Sequence, residues 1–300
     1  MLKYLTCLRP VNLVIVFLTQ IIFYYVLFNP TEVSTQEDLR MYPILIYVFA
    51  AVTVLITASG YLINDYFDYN SDIINEKIAK IPRFHNLIFY YSIVFIGFGM
   101  AWWMAACVGN LYLSLIYLGA VAVLYMYSSR WKREVLIGNV VVAGFTAGVP
   151  LILLVAEWDY LQLQDEAVAN EIVAVLLIFG VFAFLINLIR EIIKDIEDMH
   201  GDVVAGYETL PIVYGKGGAR KVALGVSLVL LGLLVWTASF VKNNSLIIPF
   251  FIIIFLIIPQ SYLSYSLLKS KDLNLTFLSK LCKMLMVIGP ILIILLQLEA

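Results

Sequence analysis

Carboxylates are among the costliest groups to place next to hydrocarbon, and this chain puts two clusters of them at the ends of long apolar runs. The first reads Asn64-Asp65-Tyr66-Phe67-Asp68-Tyr69-Asn70-Ser71-Asp72, the second Asp195-Ile196-Glu197-Asp198-Met199-His200-Gly201-Asp202. On a helix Asn64, Asp68 and Asp72 recur at i, i+4 and i+8 and share a face, from which Asp65 is turned away. Glu191, Asp195, Asp198 and Asp202 recur at i, i+4, i+7 and i+11, again one stripe, with Asn187 one turn earlier. Such stripes suit Mg2+, a hard cation that keeps several waters and bridges to substrate phosphates. Six carboxylates or amides converging on one cavity would hold the metal, and the metal would hold a phosphate. A single acidic helix end is commonly a solvated surface. Two on the same side, each preceded by a polar residue within an apolar run, argue for a site.

Cations that could meet a phosphate lie in the loop Tyr127-Ser128-Ser129-Arg130-Trp131-Lys132-Arg133 and beside the second motif, at Arg190 and Lys194. Any one loop cation also serves as a topology determinant. Arg190 lies within an apolar run, where a charge demands a partner. Asn12 and Asn139 are lone polar residues near span ends, of a kind that more often bonds helix to helix than binds ligand. His200 reads as a surface histidine.

The elements that must carry these residues are membrane helices. The chain of 300 residues is 63% hydrophobic and 13% charged, with a mean hydropathy of +0.96; soluble domains run at about 45–50% apolar and 25% charged. Nine apolar stretches are long enough to cross a bilayer, near 10–29, 42–63, 86–108, 110–128, 135–155, 171–192, 221–241, 246–268 and 277–298. Pro150, Pro249, Pro259 and Pro290 fall within or at the ends of these runs and mark kinks. Phe28-Asn29-Pro30-Thr31 offers no small-residue cleavage pattern, so the first run is read as a retained span. The predicted fold is all-α: nine transmembrane helices around a central cavity open to the cytoplasmic side, in a single domain over 1–300.

Orientation follows from charge. With nine spans, all 19 Lys and Arg except Arg40 and Lys242 fall on one side, which the positive-inside rule makes cytoplasmic. Loops 30–41 and 156–170, with Glu32, Glu37, Asp38, Glu157, Asp159, Asp165 and Glu166, are then outside. The N-terminus and both acidic motifs are then cytoplasmic, and if the source is a bacterium or archaeon the membrane is the cytoplasmic one. A net charge of -2 with no basic stripe excludes nucleic acid as a partner. Cys7, Cys107 and Cys282 show no ligand spacing and read as small buried hydrophobes.

Asn-Asp-x-x-Asp-x-x-x-Asp at 64–72 and Asp-x-x-Asp-x-x-x-Asp at 195–202, in nine spans, resemble the UbiA superfamily of intramembrane prenyltransferases. Further matches are Arg9-Pro10-x-Asn12, Tyr127-Ser128-x-x-Trp131-Lys132, Gly138-Asn139 and Gly206-Tyr207-Glu208-Thr209-Leu210-Pro211. The resemblance implies Mg2+ and an isoprenyl diphosphate donor that ionises to an allylic cation captured by a lipophilic acceptor. It makes Asn64, Asp68, Asp72, Asp195, Asp198 and Asp202 the metal and diphosphate set, with Asp68, Asp195 and Lys132 catalytic. Arg190, Lys194 and Asn12 are counted as further diphosphate-binding candidates. The run Arg190-Glu191-Ile192-Ile193-Lys194-Asp195-Ile196-Glu197-Asp198 resembles the branch acting on geranylgeranylglyceryl phosphate, whose acceptor is a lipid hydroxyl. One departure is clear: the family's Asn-x-Pro-x-Arg-Pro after the first motif is replaced by Asn75-Glu76-Lys77-Ile78-Ala79-Lys80, leaving Lys77, Lys80 and Pro82-Arg83 to stand in.

The nearest alternatives are an aromatic or quinone-precursor acceptor and a non-catalytic prenyl-lipid binder or transporter. A transporter would more naturally carry its charges near the bilayer midplane than at helix ends. The Asp-Gly-x-x-Ala-Arg run of the CDP-alcohol phosphotransferases is absent.

Overall fold

A computed structural model of the chain describes residues 7–28, 41, 44–69, 73, 82–240, 247–269 and 273–299. Among them nine helices are long and apolar enough to span a membrane, and no strand occurs. In chain order the helices are α1 (Pro10–Leu27), α2 (Leu45–Phe67), α3 (Arg83–Val108), α4 (Tyr112–Ser129), α5 (Ile137–Ala156), the short α6 (Trp158–Leu163), α7 (Glu166–Val204) and α8 (Leu210–Phe240). The next span joins α9 (Ile247–Phe251), a π-helix (Ile252–Ile257) and α10 (Ile258–Lys269), and α11 (Leu275–Glu299) is last. The spans match those expected, except that α7 is much longer than its apolar run and α8 starts ahead of its run with a break in the helix at Gly215 (φ 72, ψ 162). Hydropathy measures only the stretch that hydrocarbon requires, whereas a polar helix can continue into water. The 39 residues of α7 rise about 58 Å at ~1.5 Å each, against a hydrocarbon core of ~30 Å.

The chain divides into two compact units, with the boundaries inside α5 and α7 and at the short 3-10 helix Trp131–Arg133. The first comprises the described residues of 1–132 and 149–174. Its hub is α2, which packs against α1, α3 and α4 around Val52, Leu62, Ile63, Tyr90, Ala101, Tyr117 and Val121. Lipid tails are as apolar as leucine, so close fit rather than hydrophobicity holds such helices together. Gly97 shows this directly, since a Cβ there would stand 2.1 Å from the Tyr117 hydroxyl oxygen. That hydroxyl donates to the Val94 carbonyl at 3.2 Å. At the other end of α1, Tyr24, Phe28 and Tyr160 pack together beside Glu157. This carboxylate, grouped by sequence with an acidic outer loop, is fully buried and accepts the Met41 backbone N–H at 2.8 Å.

The second unit comprises the described residues of 133–148 and 175–300. Ile186, Ile189, Ile192 and Ile193 of α7 share a core with Leu230, Leu263 and Leu285. Cys282 belongs to that core as expected, whereas Cys107 in α3 is exposed. Polar side chains join α8 to α10: the Gln260 amide donates to the Ser227 carbonyl (3.2 Å) and hydroxyl (2.8 Å), and Ser227 and Ser264 hydroxyls meet at 2.7 Å. All three side chains are buried. Of the four prolines, Pro150 and Pro290 lie inside α5 and α11, and Pro249 sits in the first turn of α9, where no N–H is missed. Pro259 is the second residue after the π-helix, and a wider turn just before a proline eases the clash of its ring with the preceding carbonyls.

Candidate prenyl diphosphate site

In the first unit the acidic motif forms the end of α2. Asp68 caps the helix, its backbone N–H donating to the Asn64 carbonyl at 2.9 Å. The shared face expected for Asn64 and Asp68 is present, and the Asn64 amide donates to Asp68 Oδ2 at 2.7 Å. Lys132, brought in by the turn after α4, pairs its ammonium with Asp68 and donates to Asn64 Oδ1 at 3.4 Å. Asp68 is buried and Lys132 partly so, which strengthens their attraction. Asp72, Lys77 and Lys80 lie outside the described residues.

Asp65 is off this face, as the periodicity requires, but it is no bystander. It is buried and ion-paired with Arg9 at 3.5 Å. The Arg9 guanidinium also lies over the Tyr61 ring, 4.7 Å from its centroid, and its backbone is left-handed at φ 50. Asn12 donates to the Tyr61 hydroxyl at 3.1 Å, so the structure places this diphosphate candidate in the Arg9 cluster. Arg83 lies over Tyr69 (5.1 Å) and Tyr66 (5.8 Å) of the motif itself. Edge-to-face contacts link Tyr66, Phe67 and Tyr125.

In the second unit α7 runs unbroken through the second motif, so Glu191, Asp195, Asp198 and Asp202 do form one stripe. Glu197, on the opposite face, accepts from Thr276 at 2.5 Å. Arg190 finds its partner in Glu191 at 2.5 Å, and Lys194 lies 3.9 Å from the same carboxylate. Asn187 is buried, and its amide nitrogen has no hydrogen-bond partner among the described residues. Asp195 accepts from the Asn139 amide at 2.7 Å. Sequence gave no sign of this bond, because its partners are 56 residues apart.

The stripe ends in a Schellman cap. The Tyr207 N–H donates to the Asp202 carbonyl at 2.9 Å and the Gly206 N–H to Val203 at 3.1 Å, with Gly206 at φ 71. Arg133 lies over the Tyr207 ring at 5.3 Å, and its carbonyl accepts the Glu208 N–H at 2.8 Å. His200 is exposed, as expected.

Among the described residues no three carboxylate, imidazole or thiol groups gather closely enough to hold a metal alone. Mg2+ does not ask for that: it keeps waters and binds through one or two carboxylates plus substrate phosphates. The oxygen-only donors of both motifs fit such an ion.

The profile of the UbiA prenyltransferase family matches residues 33–282. The chain belongs to this family. It is 33% identical over 242 residues to the digeranylgeranylglyceryl phosphate synthase of Thermococcus onnurineus, covering 79% of this chain and 80% of that one. The alignment with the synthase of Thermococcus kodakarensis, at 34% identity, spans 57% of each chain. Among solved UbiA-family folds, a structure described as digeranylgeranylglyceryl phosphate synthase in membranes superposes with a TM-score of 0.66 at 23% identity, covering 99% of this chain and 98% of that one. A UbiA homolog from Archaeoglobus fulgidus bound to DMAPP and Mg2+ gives 0.55 at 18% identity, covering 97% and 99%. With nine apolar helices among the described residues and this membership, the protein is a multi-pass integral membrane protein of the prenyltransferase family.

Proposed function

We propose that the protein transfers an isoprenyl group from a prenyl diphosphate to the hydroxyl of a lipid acceptor of the geranylgeranylglyceryl phosphate kind, with Mg2+ as cofactor. The observation that carries this reading is repeated in each unit: an oxygen-rich stripe near a helix end has its leading aspartate held by an amide, Asn64 on Asp68 and Asn139 on Asp195. The relatives named as digeranylgeranylglyceryl phosphate synthases and the homologue bound to DMAPP and Mg2+ support it.

In the reaction the allylic C–O bond to diphosphate breaks with its electron pair leaving on the diphosphate. The acceptor oxygen forms the new bond to that carbon and gives up its proton. Bound Mg2+ supplies positive charge against the departing group. In the first unit Asn64 and Asp68, and in the second Asp195, Asp198 and Asp202, would each offer oxygens to such an ion. Lys132, oriented by Asp68 and Asn64, adds a fixed ammonium toward the diphosphate. Arg190 and Lys194, both on Glu191, would offer positive charge to a phosphate beside the second motif. The faces of Tyr66, Phe67 and Tyr125 suit a nearby carbocation. The reading places the diphosphate on the cytoplasmic face, where the charge asymmetry puts both motifs.

The test is a membrane assay offering labelled geranylgeranyl diphosphate with geranylgeranylglyceryl phosphate or hydroxybenzoate. A Mg2+-dependent ether lipid product is expected. C-prenylated hydroxybenzoate would replace the acceptor, and no product with any donor would leave a prenyl-lipid binder.

A further inference from the structure

We infer that Asn139 is a positioning residue of the reaction, holding the Asp195 carboxylate in one orientation so that Oδ1 stays turned toward metal and diphosphate; the inference rests on the proposed prenyl transfer. The Asn139 amide donates to Oδ2 at 2.7 Å, leaving the other carboxylate oxygen to a ligand. Asn139 is itself buried and Asp195 half-buried, which limits how far water can compete for the bond.

The segment that delivers Asn139 is held in an unfavourable form. Leu136 has φ 61, and the Ile137 N–H closes back on the Val135 carbonyl at 2.8 Å, a three-residue turn that a branched side chain rarely adopts. Strain of this kind persists only where the surroundings over-determine it, and it collects at functional sites. Here the restraints are on the page. The same segment is fastened to the chain just after Asp202 by the Glu208 N–H on the Arg133 carbonyl and by Arg133 over Tyr207. The segment is thus fixed twice against the second motif, at Asp195 and just past Asp202. A helix-packing asparagine would need neither the strained turn nor an acceptor on the acidic stripe. The first unit repeats the arrangement, with the Asn64 amide on Asp68 Oδ2 at the same 2.7 Å.

Partners that orient a metal-binding group typically change metal affinity or activity 10- to 100-fold when removed. The test measures Mn2+ binding by electron paramagnetic resonance, with the full-length protein in detergent and the unreactive thiolodiphosphate analogue of geranylgeranyl diphosphate. N139A is expected to weaken Mn2+ binding about 10-fold, with a melting temperature close to wild type. Because Asn139 acts through Asp195, N139A added to D195N should weaken binding no further. Wild-type binding in N139A, or additive losses in the double variant, would overturn the inference. So would failure of both N139A and the volume-matched N139L to fold, which would make Asn139 a packing residue. If wild type itself bound no Mn2+, the prenyl transfer reading would fall instead.

Discussion

Each unit supplies one buried or half-buried aspartate fixed by an asparagine amide, and the two should behave alike. Replacing Asp68 or Asp195 by Ala is expected to lower turnover by roughly 100-fold or more with the fold retained, as read by product formation and melting temperature on the same preparation. Near-wild-type turnover in either would remove that residue from the reaction. Asp65 tests a different point. Its side chain is 6% exposed while that of Arg9 is 41% exposed, so the two halves of the pair are unequal. Arg9→Ala takes one charged partner from a buried carboxylate and is expected to cost about 2 kcal/mol. Asp65→Ala lets Arg9 turn to water and should cost about 1 kcal/mol or less, keeping more activity than Asp68→Ala. Equal losses in denaturant titrations would show that the pair is symmetric after all. The off-face placement of Asp65 was legible from helical periodicity alone. Its burial, the Asn139 contact and the buried Glu157 were not, because each depends on a partner far away in the chain.

Helices place these residues only as well as their ends are fixed. The Schellman cap at Gly206 anchors the carbonyl of Asp202, the last member of the stripe, and its φ of 71 is open to glycine and, with little penalty, to asparagine. Gly206→Val is expected to destabilise the protein by about 1–2 kcal/mol and Gly206→Asn by clearly less, measured by thermal unfolding. An equal loss in both would mean that backbone conformation is not what the position selects. At Gly97 the requirement is space instead, since any Cβ meets the Tyr117 ring. Apolar run length showed that these helices exist and cross a membrane. It could not show where α7 stops, because the stop is set by a cap in polar sequence beyond the hydrocarbon.

For the whole molecule, charge placement makes the strongest claim. Reporters fused within 205–209 should read cytoplasmic and those within 157–165 outside; the reverse pattern would remove the proposed cytoplasmic diphosphate. The class and number of spans were legible because each apolar run must pay its own way in lipid, whereas the partner of each span is decided by small and polar groups that hydropathy averages away. The Ser227, Gln260 and Ser264 tie bears on how the chain is made. An amide alone in hydrocarbon costs several kcal/mol, so the segment carrying Gln260 would enter the bilayer poorly by itself. Synthesis runs from the N-terminus, so α8 with Ser227 precedes it and can receive Gln260 as it emerges. Residues 247–269 are therefore expected to insert more completely behind 210–240 than without them, as scored by glycosylation mapping, and equal insertion would argue against this order. In that sense the earlier helix acts as a chaperone for the later one, supplied in the order of translation.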